Sequence, residues 1–313
     1  MKVLVTGGAG FIGSHIGARF AARGDTIRVL DSFVTGRRDN LAAIGPSANV
    51  ELFEGDVRDA SLVDRAVQGC ELIFHQAAVV SVPRSVEHPQ ESHDVNVQGA
   101  LNVLHAARRH GCQRVVFASS AAIYGEEPTL PKVETMAPAP IAPYGVDKIS
   151  IEYYLQTWSK LYGVETVSLR YFNVFGPRQD PTSPYSGVIS IFVDKALRAE
   201  SPTIFGDGEQ FRDFVFIDNV VDANEKAAST AGVSGRVYNV GTGTRTSLNE
   251  LVRVLARLTR QKLEPKHLAP RAGDIPFSVA DITRATQELG YAPRVGLEEG
   301  LAALVAHVRA GRA

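Results

Sequence analysis

The chain of 313 residues has little cysteine, tryptophan or methionine: two Cys, one Trp and two Met. Two cysteines, Cys70 and Cys112, with no C-x-x-C spacing give neither a disulfide framework nor a thiolate metal knuckle. Each stands just before an expected strand, so both read as small buried hydrophobes of a reduced, cytoplasmic protein. The eight His residues are scattered without H-E-x-x-H or similar ligand spacing, and no metal is expected. No apolar run reaches the roughly 20 residues that span a bilayer. Excess charge is lacking as well. A formal net charge of −1 gives no electrostatic reason to expect nucleic acid or a membrane surface as a partner. The N-terminus runs straight into an apolar stretch, so no signal peptide is expected. Repeats and low-complexity tracts are missing too.

What is there is enough apolar material for a large core: 44% of the residues are hydrophobic. This length buries roughly three quarters of the unfolded chain's surface and suits one large or two coupled domains. Strand-like runs at Val3–Val5, Ile27–Leu30, Val50–Phe53, Leu72–His75, Arg114–Ala118 and Thr166–Arg170 alternate with helical patterns near Phe11–Ala22, Leu62–Val67, Val95–Arg109 and Val146–Leu161. The strand runs are rich in Val, Ile and Leu and lack two-residue alternation. That predicts strands covered on both faces, hence a parallel sheet with right-handed helical crossovers. After about residue 171 the texture changes: Pro177, Pro181 and Pro184 make an irregular segment, followed by a helical pattern at Val188–Leu197 and short strands near Pro202–Phe205 and Phe214–Ile217.

The first crossover carries chemistry. In Val3-Leu4-Val5-Thr6-Gly7-Gly8-Ala9-Gly10-Phe11-Ile12-Gly13, a strand enters a tight glycine turn that opens a helix. Gly8, Gly10 and Gly13 satisfy G-x-G-x-x-G; Gly7, Gly10 and Gly13 satisfy the wider G-x-x-G-x-x-G. Such a turn supplies an unusual backbone angle, lets the main chain approach a pyrophosphate, and aims a helix N-terminus at the phosphates. Asp31 ends the second strand about twenty residues on, where an acid binds the adenosine ribose. Its charge favours NAD over NADP. Arg37 and Arg38, close by in sequence, are what an NADP reading would rest on. The expected fold class is α/β, a Rossmann-type doubly wound parallel sheet over residues 1–171, with a smaller, interleaved C-terminal substrate-binding domain over 172–313.

Tyr144-Gly145-Val146-Asp147-Lys148 puts Tyr and Lys four apart at a helix start, on one face. A phenol titrating near 10 is a poor base; a neighbouring ammonium and an oxidised nicotinamide would pull that value down. Phe117-Ala118-Ser119-Ser120-Ala121-Ala122-Ile123-Tyr124-Gly125 closes the fifth strand at the carboxyl edge of the sheet, where ligands of open sheets bind. A hydroxyl there can share a hydrogen bond with Tyr144 and a substrate oxygen.

With these residues together, the chain resembles the extended short-chain dehydrogenase/reductases, in particular their nucleotide-sugar 4-epimerase branch. The resemblance runs through nearly the whole chain. It includes the glycine turn, Gly55-Asp56-Val57, Ala77-Ala78, Asn96, the Ser-Ser-Ala-Ala-Ile-Tyr-Gly segment, Tyr144 with Lys148, Arg170-Tyr171-Phe172-Asn173-Val174-Phe175-Gly176-Pro177, Arg212-Asp213-Phe214 and Arg271-Ala272-Gly273-Asp274. It implies NAD as cofactor, held or framed by Gly7, Gly10, Phe11, Ile12, Gly13, Asp31, Asp56, Val57, Ala77, Ala78, Asn96, Tyr144 and Lys148. It implies Ser120, Tyr144 and Lys148 as the catalytic set. For a nucleotide-sugar substrate it implies Ser81, Arg84, Ser120, Asn173, Val188, Phe205, Arg212, Arg271, Asp274 and Ser278. Fork-shaped Arg donors suit a pyrophosphate, and Asp274 suits a ribose hydroxyl; Arg212 and Arg271 are expected in Gly-rich loops, where function concentrates.

The implied reaction is 4-epimerisation through a transient 4-keto sugar over tightly bound NAD. Ser278 matches the position that limits space beside the sugar. A small residue there, with Ser81-Val82-Pro83-Arg84-Ser85, resembles members acting on 2-acetamido sugars, so interconversion of UDP-GlcNAc and UDP-GalNAc is expected, with UDP-Glc and UDP-Gal as further substrates. A 4,6-dehydratase would need an acid and a base where this chain has Ala121-Ala122. A uronate epimerase or decarboxylase would need a cation near the sugar, for which Arg84 is the candidate. An NAD-sensing binding protein of this fold commonly loses the Tyr or the Lys. Family members pair two helices per subunit; here Val95–Arg109 and Val146–Leu161 would form a homodimer.

Overall fold

In the first strand, Val3, Leu4 and Val5 are all fully buried, and they point to different places. Val3 and Val5 join an apolar cluster with Ile16 and Phe20, whereas Leu4 joins another with Val63, Val103 and Leu155. Helices cover both faces, which is why no polar alternation marks the strand. In the computed structural model, which describes residues 1–45, 50–179, 187–270 and 275–311, this pattern recurs across the sheet except in the edge strand Val50–Glu54, where Leu52 is exposed and the expected cover on both faces is missing.

The first half runs β1 (Lys2–Thr6), α1 (Phe11–Ala22), β2 (Thr26–Asp31), α2 (Arg38–Ala42), β3 (Val50–Glu54), α3 (Ala60–Val67), β4 (Leu72–His75), α4 (Val82–Glu87), α5 (Pro89–His93), α6 (Gly99–Arg109), β5 (Arg114–Ser120), α7 (Pro143–Leu161) and β6 (Glu165–Tyr171). A five-residue π-turn, Asp94–Gln98, joins α5 to α6. The second half adds β7 (Asn173–Phe175), α8 (Val188–Leu197), β8 (Thr203–Phe205), β9 (Phe211–Arg212), β10 (Phe214–Phe216), α9 (Ile217–Ser229), β11 (Arg236–Val240), β12 (Thr246–Ser247), α10 (Leu248–Thr259), β13 (Lys266–Leu268) and α11 (Leu297–Ala310).

Seven parallel strands make the central sheet in the order β11-β6-β5-β4-β1-β2-β3. The doubly wound α/β architecture expected from the sequence is present. The order reverses between β1 and β4, so a crevice opens above their carboxyl ends, where open sheets take ligands. The seventh strand comes from the second half of the chain: β11 pairs with β6, Tyr238 opposite Leu169. The remaining strands form two-stranded ribbons, β7 with β10, β9 with β12 and β8 with β13. Buried side chains of α8 to α11 continue the cluster that covers one sheet face, so that core crosses from the sheet into the C-terminal segments. Cys70 and Cys112 are both buried and free. Among the described residues no helix is long and apolar enough to cross a membrane.

Candidate active site

The glycine turn lies at the mouth of the crevice. Gly7 adopts φ +67°, and a Cβ there would stand 2.8 Å from the Ala77 nitrogen on the neighbouring strand end. A Cβ on Gly13 would run into the Gly7 carbonyl oxygen. Gly10 precedes α1 in an extended conformation and offers no side-chain cap, so only the main chain and the helix's partial positive charge face outward. Asp31 closes the other side: its carboxylate accepts from the Ala9 nitrogen at 2.9 Å and the Phe33 nitrogen at 2.8 Å. Burial pushes its pKa up, and the two backbone donors oppose the shift. A glycine-rich turn under a helix N-terminus, with a fixed carboxylate beside it, suits a dinucleotide's pyrophosphate and ribose.

The other expected cofactor residues divide into two kinds. Phe11 and Ile12 open α1, and the Ala77 nitrogen donates to Thr6 Oγ1 at 3.2 Å, with Ala78 half-buried on the same loop. Asp56 is chelated by Arg58, at 3.0 and 2.7 Å, which holds its carboxyl below the usual range. Val57 packs under Gly99. Asn96 spends its amide inside the protein: Oδ1 accepts from the Val79 nitrogen at 2.8 Å, and Nδ2 donates to Ser92 Oγ at 3.2 Å and Asp147 Oδ2 at 3.3 Å. It frames the 77–80 loop from beneath.

Tyr144 and Lys148 occupy the first turns of α7, and Ser120 ends β5. The Ser120 hydroxyl stands close enough to the Tyr144 phenol to lower its pKa, and it accepts from the Ala122 nitrogen at 3.1 Å. Lys148 Nζ donates to the Ala118 carbonyl at 2.7 Å and stands 5.7 Å from the Tyr144 ring centroid. Burial pushes the Lys148 ammonium down to about 7, opposed by the carboxylates of Asp147 and Glu152. The expected depression of the Tyr144 phenol is not what this chain's own residues produce. Burial raises it, and the Ser120 hydroxyl is what lowers it. Any further lowering has to come from a positive charge brought to the site.

The substrate-side residues lie on three segments. Ser81 caps α4, accepting from the Arg84 nitrogen at 3.0 Å, while the Arg84 guanidinium pairs with Glu91 at 3.2 and 2.7 Å. Asn173 begins β7 and donates through Nδ2 to the Asp213 carbonyl at 3.3 Å. Val188 starts α8 and Phe205 ends β8. Arg212, expected in a loop, is the second residue of β9; Nη1 donates to the Pro276 carbonyl at 2.8 Å, so the strand and the 275–278 segment are tied. The Ser278 nitrogen donates to the Phe211 carbonyl at 3.2 Å, which brings Ser278 beside Arg212. A groove of ≈ 360 Å³ lies between residues 125–128 and 275–277. Arg271 and Asp274 lie outside the described residues.

Two buried groups in this region carry no role in the sequence reading. Asp213, fully buried, accepts from the Thr242, Gly243 and Ala280 nitrogens at 2.8, 2.9 and 3.1 Å, gathering the loops around Arg212 and Ser278. A lone carboxylate between Arg212 and Phe214 in an apolar stretch is its only trace in the sequence. His75, at the end of β4, shares a hydrogen with Thr6 Oγ1 at 2.7 Å, and its Nε2 is buried without a partner among the described residues.

A family model described as NAD dependent epimerase/dehydratase matches residues 3–241. A UDP-glucose 4-epimerase of Mycolicibacterium smegmatis is 41% identical, with 99% of each chain covered. Among solved structures, a UDP-glucose 4-epimerase of Thermotoga maritima with UDP-glucose superposes with a TM-score of 0.94 at 39% identity, covering 100% of both chains. A UDP-N-acetylglucosamine 4-epimerase of Methanobrevibacter ruminantium in complex with UDP-N-acetylmuramic acid gives a TM-score of 0.94 at 35% identity, covering 99% of this chain and 98% of that one.

Proposed function

Because the chain belongs to the NAD-dependent epimerase/dehydratase family, we propose that it is a UDP-sugar 4-epimerase, interconverting UDP-GlcNAc with UDP-GalNAc and also UDP-Glc with UDP-Gal. The observation that carries the reaction is the convergence of Ser120, Tyr144 and Lys148 at the carboxyl edge of the sheet, the same edge that carries the glycine turn.

NAD, when bound, supplies the acceptor and the donor of a hydride at the sugar C4. The chain's residues handle the proton. Tyr144 takes it from the 4-hydroxyl oxygen as the carbonyl forms and returns it after the sugar has turned over. Ser120 hydrogen-bonds the phenol and the same sugar oxygen. Lys148, fixed by the Ala118 carbonyl beside the phenol, would hold the cofactor, whose positive charge when oxidised favours the ionised phenol. Gly7, Gly10, Phe11, Ile12, Gly13 and Asp31 would hold the cofactor, framed by Asp56, Val57, Ala77, Ala78 and Asn96. Asn173, Val188, Phe205, Arg212, Arg271, Asp274 and Ser278 would hold the nucleotide sugar, with Ser81 and Arg84 at its sugar end. On this reading residues 1–171 serve mainly the cofactor and 172–313 mainly the substrate.

The preference for acetamido sugars rests on Ser278, a small side chain beside Arg212, and agrees with the acetamido-sugar epimerase among the structural relatives. Pairing of Arg84 with Glu91 speaks for an uncharged sugar over a uronate. A homodimer through α6 and α7 is part of the proposal, supported by the exposed Val146, Tyr153 and Tyr154 of α7. Two free buried cysteines fit a reduced, cytoplasmic setting. The test is to incubate purified protein, without added NAD, separately with UDP-GlcNAc, UDP-Glc and UDP-GlcA. C4-inverted products from the first two support the reading; a 4-keto-6-deoxy product, or inversion of UDP-GlcA alone, overturns it.

A further inference from the structure

The tail of β5 grips α7 residue by residue. The Ala118 carbonyl accepts from Lys148, the Ser119 hydroxyl donates to Glu152 Oε1 at 2.5 Å, and the Ser120 hydroxyl lies beside the Tyr144 phenol. Tyr144, Lys148 and Glu152 are spaced one helical turn apart and face the strand together. Glu152 is fully buried and also closes a two-pronged pair with Arg170 of β6, at 3.0 and 2.7 Å. Arg170 stacks its guanidinium over the Tyr124 ring at 4.9 Å, and the Tyr124 hydroxyl donates to Asn239 of β11 at 2.6 Å. A connected polar network therefore runs beneath the candidate active site, from α7 through β5 and β6 to β11.

We infer that Glu152 is a positioning residue for the Tyr144–Lys148 pair: it fixes the register of α7 on the β5 tail and, with Asp147, places buried negative charge near Lys148. The inference deepens the proposed epimerase chemistry and rests on it. A buried ion pair contributes little net stability compared with apolar residues of the same shape, so stability alone does not account for Glu152 and Arg170. The pair meets Ser119, which stands between the two residues that touch Lys148 and Tyr144.

The charges facing Lys148 are few. On its own helix Asp147 is held by Ser92 Oγ at 2.6 Å, with Asn96 at 3.3 Å and His93 at 3.5 Å. From β4, His75 is buried and stays neutral, its pKa pushed down to about 3 by burial with the Lys148 charge adding to the shift. From β6 comes Arg170, already committed to Glu152. From β5 come the Ala118 carbonyl, the Ser119 and Ser120 hydroxyls and the Phe117 ring, 4.7 Å from Nζ. The negative charges opposing desolvation of Lys148 are thus Asp147 and Glu152.

The experiment compares Glu152→Gln with wild type, whose own turnover first checks the epimerase reading. Expected are a kcat lower by about tenfold or more with KM for the UDP-sugar and bound NAD near wild type, and an alkaline limb of the kcat–pH profile moved toward lower pH by about one unit. Loss of one charge could unfold the protein through the unpaired Arg170, so the Glu152→Gln/Arg170→Gln double variant, with no orphaned charge, is measured too; there kcat is expected to fall as in the single variant, with a smaller limb shift because the Arg170 charge leaves with that of Glu152. Should neither fold, Ser119→Ala, which leaves the ion pair intact, decides the positioning claim: kcat falls by about threefold or more with KM and NAD content unchanged. A folded Glu152→Gln variant with the wild-type pH limb overturns the inference, as does a folded double variant with wild-type kcat, parallel loss of kcat, NAD and thermal stability without a limb shift, or a Ser119→Ala variant with wild-type kcat.

Discussion

The Lys148 ammonium donates to the Ala118 carbonyl at 2.7 Å, and this one bond ties the first turns of α7 to the end of the fifth strand. With Ser120 two residues further along the strand and next to Tyr144, a phenol, a hydroxyl and a buried ammonium stand together at one sheet edge. Preorganisation of that kind is what proton transfer at a bound sugar requires.

Tyr144→Phe removes the base and the Ser120 contact and keeps the ring. We expect kcat to fall by about 10²- to 10⁴-fold with the protein folded and NAD still bound. Kinetics together with nucleotide released on denaturation check this; near-wild-type turnover would remove Tyr144 from the base's role.

Gly13→Ala places a Cβ against the Gly7 carbonyl, so the glycine turn must open. The expected product is a protein purified with little NAD and a lowered Tm. Asp31→Ala leaves the turn intact but removes the carboxylate braced by Ala9 and Phe33, and should retain less NAD while discriminating less against NADP. Cofactor content by absorbance and mass spectrometry reads both.

Ser278→Tyr fills the space next to Arg212. Activity on UDP-GlcNAc should drop at least about tenfold, while UDP-Glc is turned over near the wild-type rate. Equal effects on both sugars would show that this position does not gauge the 2-substituent.

Stability should fall on the acid side. His15 and His75 are both pushed down to about 3, by burial first in each case. Between the ordinary imidazole value of about 6.5 and 3, the unfolded chain binds protons that the folded one does not, so stability rises with pH there and is lost as pH falls. Thermal melts from pH 7 to pH 4 should show a falling Tm, and His15→Gln should flatten the slope. A Tm independent of pH over that window contradicts the assignment.

Much of this was readable in the residues, for physical reasons that also mark the gaps. Val3-Leu4-Val5 and Ile73-Phe74 are apolar on both faces, so the parallel sheet announced itself locally. Arg236–Val240 did not: five residues with Arg and Asn among them become a strand only because β6 lies ready beside them, a pairing between distant parts of the chain. α9, with charges on its outer side, and the π-turn at Asp94–Gln98 likewise lacked a pattern strong enough to name. The Tyr144–Lys148 spacing put the two side chains on one helix face, but the sign of the phenol's shift depended on burial, which spacing does not carry. Glu152 carries no mark in the sequence; its place is set by Ser119 and Arg170, distant in the chain, which close around it.

The central claim is that the C4 hydrogen leaves and returns as hydride inside one closed site. The direct measurement follows UDP-GlcNAc carrying deuterium at C4 through turnover in ordinary water. C4-inverted product that keeps its deuterium is the predicted result. Inversion with the label exchanged into solvent, or no inversion by a folded, NAD-containing protein, would contradict it.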